Sequence, residues 1–180
     1  MHEKTVRSQI VYRGRILALE VQDVRLENGR EALREIVRHG PAVAVLARRP
    51  DGRFVFVRQY RKPVEQELIE VVAGNRNAGE DAAACALREL KEETGYRAAR
   101  MVPLGHIYPS AGYVDERIDL FFAELPDGAG EARPDEDEHL EVVVLSRAEF
   151  LERVRGGGVP DAKTLAAWQQ YEVRFGSAGS

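Results

Sequence analysis

The chain is short of several things, and each shortage closes a class of function. It has a single cysteine, Cys85, so no intrachain disulfide can form, which fits a reducing cytoplasm. Set among Ala82 to Ala86, Cys85 reads as a small residue packed inside a helix rather than as a reactive thiol. No apolar run approaches the roughly 18 residues of a membrane span, and the opening MHEKTVRSQ lacks the apolar stretch of a signal peptide. Positive charge is not in excess: 26 Lys and Arg against 30 Asp and Glu leave a net charge of −4. Neither a nucleic-acid footprint nor an anionic-membrane binder is indicated. Internal repeats and low-complexity segments are missing as well. What remains is 180 residues, 44% of them hydrophobic, enough for one large domain or one domain with a small appendage.

Residues 5–38 carry apolar and β-branched residues interrupted at Arg13-Gly14 and Asn28-Gly29, the pattern of a three-stranded meander with an Asn-Gly hairpin. No helix accompanies these strands. Their apolar face therefore needs cover from the rest of the chain or from a second copy, and a homodimer is expected. After Gly40-Pro41, AVAVLAR (42–48) reads as a buried strand, Pro50-Asp51-Gly52 as a turn and FVFVRQY (54–60) as the returning strand. QELIEVVAG (66–74) is one further extended run, and strands are expected at 101–108, 117–125 and 140–145. Ser146 and Asp161 are N-caps for two closing helices, 147–155 and 162–174. Strands on both sides of one central helix, with helices at the end, predict an α+β sandwich. The expected division is a meander over 1–38, a main domain over 39–175 and a disordered tail over 176–180.

The central stretch is GNRNAGEDAAACALRELKEETGY, residues 74–96. A helix is predicted from near Glu80 to Gly95, a residue suited to the left-handed terminator position. At about 100° per residue, Ala83, Ala86, Leu87, Leu90 and Thr94 share one face, with Glu89, Glu92 and Glu93 on an adjoining wedge. Glu89 and Glu93 stand one turn apart and repel. Divalent cations would offset that cost, and oxygen ligands suit Mg²⁺ or Mn²⁺ better than zinc.

This stretch resembles the signature of the Nudix hydrolases, with Gly74, Glu80, Arg88, Glu89, Leu90, Glu92, Glu93 and Gly95 in register and Tyr96 in place of the usual final aliphatic residue. RQYRKP (58–63), ELIEVVAG (67–74) and DAKTLAAWQQY (161–171) are similar to the branch that cleaves ADP-ribose and related nucleoside diphosphate sugars. The resemblance implies a Nudix α/β/α sandwich of mixed sheets with an N-terminal antiparallel meander, and Mg²⁺-dependent hydrolysis of a diphosphate bond.

It also implies roles residue by residue. Glu89 and Glu93 would be direct metal ligands, with Glu92 shared or bridging and the Ala73 carbonyl completing the site. Arg88 would tie back to the carboxylates, or simply pair with Glu92. Glu80 would hold a water or orient a neighbour, or else favour the helix N-terminus. The general base would come from the acidic loop EARPDEDEH (131–139), with Glu138 first and Glu136 second. Arg61 would grip the phosphates and Glu70 would bond a ribose hydroxyl, with Arg38 and Arg58 as further substrate-binding candidates. Where the ADP-ribose branch carries Ser-Pro-Gly, this chain has Ser110-Ala111-Gly112 with Asp115-Glu116 following. Gly112 and Glu116 remain substrate-binding candidates, but Ala111 leaves the choice open between ADP-ribose, GDP-mannose, another nucleotide sugar and a dinucleotide. A nucleotide-sensing module that does not cleave is the alternative from another class, and the full set of carboxylates argues against it.

Overall fold

The computed structural model describes residues 2–127 and 140–176. The chain divides into two compact units, one comprising the residues up to Pro41 together with Tyr108–Arg117, the other Ala42–Ile107 and Ile118 onward.

In the first unit, β1 (Glu3–Arg13), β2 (Leu17–Leu26) and β3 (Glu31–His39) form the expected antiparallel meander in the order β1-β2-β3. Gly29 takes φ 81 at the second hairpin, a conformation that costs glycine nothing. There Asn28 accepts the Arg30 backbone N–H on its side-chain oxygen at 3.1 Å. Segment 108–117 joins the free edge of β3, where Val37 N donates to Tyr113 O at 2.7 Å and Asp115 N donates to Val37 O at 3.1 Å.

The second unit is built on one sheet, β10-β5-β4-β9-β8, with β6 and β7 attached to β5 and β4. Its strands are β4 (Ala42–Arg48), β5 (Phe54–Arg61), β6 (Gln66–Glu70), β7 (Val72–Asn75), β8 (Arg100–Ile107), β9 (Ile118–Glu124) and β10 (Leu140–Leu145). β9 runs parallel to β4 while the other pairings are antiparallel, so the sheet is mixed. Period-two alternation divides the apolar residues between its two faces. Ala42, Ala44 and Leu46 of β4 pack with Phe54, Phe56, Leu120 and Phe122 under Phe150 of α2 (Arg147–Arg155) and Trp168 and Tyr171 of α3 (Ala162–Phe175). Val43, Val45 and Ala47 pack with Val55, Val57 and Val72 under Cys85, Ala86 and Leu90 of α1 (Ala82–Thr94). Each large side chain withdrawn from water here contributes roughly 1.5–3 kcal/mol. The result is the α/β/α sandwich, with α1 on one face and α2 and α3 on the other.

The run expected as one strand over 66–74 is broken at Val71. β6 pairs with β5 while β7 pairs with β4, and β4 and β5 meet directly at Ala47↔Val55 and Arg48↔Phe54. The segment thus enters the fork between two parting strands and changes partner midway. The Val71 N–H at that break donates to Thr164 Oγ1 of α3 at 2.8 Å, which satisfies a group that would be costly to bury unpaired.

Candidate active site

The box helix begins at Ala82, two residues past Glu80. Asp81 is the N-cap, accepting from Ala83 N at 2.9 Å and Ala84 N at 3.2 Å, and Glu80 lies outside α1. Gly95 closes the helix at φ 73 with its N–H on Lys91 O. The buried face also differs from the one plotted from sequence. Cys85, Ala86, Leu90, Glu93 and Thr94 are buried while Leu87 is 44% exposed. Packing on the valine face of the sheet turns α1 so that Glu89 and Glu93, rather than Leu87, face inward, while the Glu92 side chain stays 41% exposed. Cys85 is part of that packing, and burial pushes its thiol up to about 12, so it remains protonated and unreactive at neutral pH.

Arg88 organises the carboxylates. Its Nε and Nη2 donate to the two oxygens of Glu80 at 2.9 and 3.0 Å. Nη1 donates to Glu89 Oε1 at 2.6 Å and to Glu92 Oε2 at 2.9 Å, and Nη2 also reaches Asn75 O at 3.1 Å. The pair with Glu92 and the tie to the other carboxylates therefore coexist. Glu80 forks with Arg88 and accepts the Asn77 N–H at 2.9 Å, the contacts of a residue that orients a neighbour. Arg88 first, and that backbone N–H second, hold its carboxyl down at about 2, while Glu80, Glu89 and Glu92 together raise the Arg88 pKa above its ordinary value.

Glu93 is 4% exposed. Glu89 lies across the backbone of β7, and a Cβ built on Gly74 would fall 2.0 Å from the Glu89 carboxyl carbon. Gly74 is thus required for close approach, with Ala73 immediately before it. Three carboxylates and a strand carbonyl are an all-oxygen donor set, which fits a hard divalent cation. Among the described residues no three His, Cys, Asp or Glu side chains already converge on a point, and Arg88 spans Glu89 and Glu92 instead.

Arg61, at the end of β5, donates through Nε and Nη2 to the two oxygens of Glu70 at 2.8 and 2.7 Å. Glu70 is 1% exposed, and its Oε2 also accepts from Lys163 Nζ. Arg58 pairs across the sheet with Glu141 of β10 at 2.8 Å. Glu136 and Glu138 lie outside the described residues.

The remaining substrate-binding candidates belong to the first unit. Arg38 Nε donates to Glu20 at 2.5 Å and Nη1 to Asp115 at 2.9 Å, and Asp115 also accepts the His39 N–H at 2.9 Å. Glu116 stands 3.6 Å from the His39 ring. A cavity of about 570 Å³ in this unit is lined by Arg38, Tyr108, Ala111, Gly112, Tyr113 and Asp115 among others. Sequence reasoning kept Asp115 only as a loop acid, although it is the residue that holds Arg38.

Glu20 makes one consequence measurable. Arg38, then Ser8 and Gln22, lower its carboxyl from 4.5 to about 2. A folded pKa below the unfolded one adds stability that is complete above about 4.5 and lost as pH falls toward 2. The stability difference between wild type and Glu20→Gln, followed by thermal melts, is expected to narrow steadily across that interval. A difference independent of pH would contradict it.

An acidic helix thus packs on one face of a mixed sheet, and Glu70 holds the Arg61 guanidinium at the end of β5. The chain matches the NUDIX domain over residues 38–169 and the nucleoside diphosphate sugar hydrolase N-terminal domain over residues 3–37. It is 40% identical to an ADP-ribose pyrophosphatase of Bacillus subtilis (strain 168), covering 97% of this chain and 95% of that one. It is also 40% identical to a methanol dehydrogenase activator of Bacillus methanolicus (96% and 94% covered), and 37% identical to a GDP-mannose pyrophosphatase of Cronobacter sakazakii (strain ATCC BAA-894; 78% of each). A solved structure titled as an ADP compounds hydrolase superposes with a TM-score of 0.86 over 99% of this chain and 97% of its own, at 22% identity, and shares the fold. The chain belongs to the Nudix family and is a pyrophosphohydrolase of nucleoside diphosphate derivatives.

Proposed function

We propose that the enzyme hydrolyses ADP-ribose to AMP and ribose 5-phosphate, using Mg²⁺ with Mn²⁺ as a substitute, as a homodimer in the cytoplasm. The observation that supports the metal assignment is the approach of Glu89 to Gly74, which reserves space for a carboxylate against β7, the strand that carries Ala73. Ala73, Glu89, Glu92 and Glu93 would hold the cation. When bound it neutralises phosphoryl charge and makes a water acidic enough to attack at neutral pH. Arg88 keeps Glu89 and Glu92 apart and oriented, with Glu80 as its anchor. Arg61 binds the diphosphate, with Arg58 beside it on β5. Glu138, or in its place Glu136, takes the proton from the attacking water.

Arg38, Gly112 and Glu116 are the remaining residues proposed to contact the substrate. The 40% identity to the enzyme named for ADP-ribose supports that substrate. A second reading, GDP-mannose or another nucleotide sugar, is favoured by Ala111, which stands where the ADP-ribose branch has proline and lines the cavity with Arg38 and Tyr113. The homodimer is supported by β1, exposed along its whole length with Val6, Ile10, Val11 and Tyr12 uncovered, an edge that soluble proteins normally cover. No helix among the described residues is long and apolar enough to cross a membrane.

A panel of ADP-ribose, GDP-mannose, other nucleotide sugars and diadenosine polyphosphates, run with Mg²⁺ and with Mn²⁺, is the test. ADP-ribose is expected to give the highest kcat/KM. GDP-mannose in first place would establish the second reading, and no turnover with any member would sink the catalytic reading. Sedimentation at micromolar concentration is expected to give twice the chain mass of 20.1 kDa, and a species of single-chain mass would remove the dimer.

A further inference from the structure

The sequence DAKTLAAWQQY, which caps and opens α3, is not used by the reaction as described above, yet three of its side chains form a network ending on Glu70, the partner of Arg61. Asp161 caps α3 by accepting Thr164 N on Oδ2 at 2.9 Å, and Lys163 Nζ donates to its Oδ1, also at 2.9 Å. Lys163 Nζ donates as well to Glu70 Oε2, the oxygen that Arg61 Nη2 shares at 2.7 Å. Thr164 Oγ1 donates to Asp161 Oδ2 at 2.5 Å and accepts the Val71 N–H at 2.8 Å. Two acids and two bases thus alternate in one chain, Asp161–Lys163–Glu70–Arg61, running from the helix N-terminus to the end of β5.

Burial decides what this chain does. Glu70 is 1% exposed and the Lys163 side chain 13%, whereas the Arg61 side chain is 38% exposed. The inner members are desolvated and the outer guanidinium is open to a ligand. Arg61 spends its Nε and Nη2 edge on Glu70, so an incoming phosphate oxygen meets Nη1. Glu70, assigned to a ribose hydroxyl from sequence, has both oxygens engaged by cations, which suits it to aligning Arg61. A buried carboxylate that lost one of two cationic partners would draw the other inward.

We propose that Lys163 is a positioning residue for the diphosphate. By neutralising Glu70 from the inner side it leaves the Arg61 guanidinium held edge-on, with its free edge presented to the substrate phosphates. This rests on the reading of Arg61 as the phosphate-binding arginine. Such indirect support commonly changes ligand affinity by 10-fold or more.

The experiment is a double-mutant cycle on the full chain, assayed with ADP-ribose and Mg²⁺ and accompanied by thermal melts. Lys163→Met is expected to raise KM about tenfold while kcat stays within about twofold, the pattern of lost uniform binding. Lys163→Gln, which keeps a polar group at the buried position if the Met variant fails to fold, is expected to do the same. Lys163→Arg should restore KM. Arg61→Ala should raise KM at least as far as Lys163→Met, and adding Lys163→Met to it should have no further effect. A Lys163→Met enzyme with a lowered Tm but wild-type KM, or additive effects in the double variant, would overturn the proposal. Arg61→Ala with an unchanged KM is a different failure: the phosphate-binding reading falls, and the proposal falls with it.

Discussion

Replacing Glu93 by Gln is expected to lower kcat by about 10²–10³-fold, the scale on which a lost electrostatic stabiliser of developing phosphoryl charge is felt. The fold should survive it. Glu93 is 4% exposed at the sheet-facing side of α1, and an uncharged isostere relieves the desolvation that a buried carboxylate imposes. Without added cation, the Gln variant should therefore melt at or above the wild-type temperature. With Mg²⁺ the order should change. A cation bound to the folded state alone raises the wild-type Tm by mass action, and the variant should lose that rise together with its turnover. Wild-type rates for Glu93→Gln at saturating Mg²⁺ would show that the metal assignment is wrong.

Gly74→Ala is expected to be nearly as damaging, for a steric reason. The added methyl would lie 2.0 Å from the Glu89 carboxyl carbon and 2.1 Å from Oε1. Either the Glu89 side chain leaves the face of β7 or β7 moves away from α1. Overpacking of this kind costs about 1–3 kcal/mol, and displacing a ligating group by an ångström costs about 10²-fold in rate. Activity should fall far more than stability, and the Mg²⁺-induced rise in Tm should shrink in parallel. Gly74→Ala with normal turnover would mean that Glu89 does not work from its position over β7. Gly74 has no positive φ, so backbone strain does not account for its presence; space does.

The two substitutions separate what can be read locally from what cannot. The box is a local object. Its carboxylate spacing, its Gly95 terminator and the ion pair from Arg88 to Glu92 lie within two turns of one helix, and the 3.6-residue period fixes them. The β1-β2-β3 meander with its Asn28-Gly29 hairpin, the Ser146 and Asp161 caps, and the buried character of 42–48 are equally local, being written in turn chemistry and alternation. The rotation of α1 was not legible in the same way. Leu87 belongs to the apolar stripe by helical period, but α1 settles on the valine face of the sheet through Cys85, Ala86 and Leu90. That choice exposes Leu87 and turns Glu93 inward. The break at Val71 depends on two strands parting, and no feature of QELIEVVAG announces it.

The sequence by itself determined that this protein holds a cluster of carboxylates on one helix, in the register of a family that cuts diphosphates, beside a sheet with two buried faces. Hydrogen-bonded turns and side-chain periodicity act over a few residues, so those features needed no tertiary knowledge. Only the tertiary structure decided the partners: Glu80 on Arg88 rather than at the helix cap, Glu70 between Arg61 and Lys163, and Asp115 on Arg38. Lys163 and Glu70 stand 93 positions apart, and charge carries no record of which opposite charge it will meet. Strand pairing and helix packing bring those groups together, and the same packing turns Glu93 of the box helix inward.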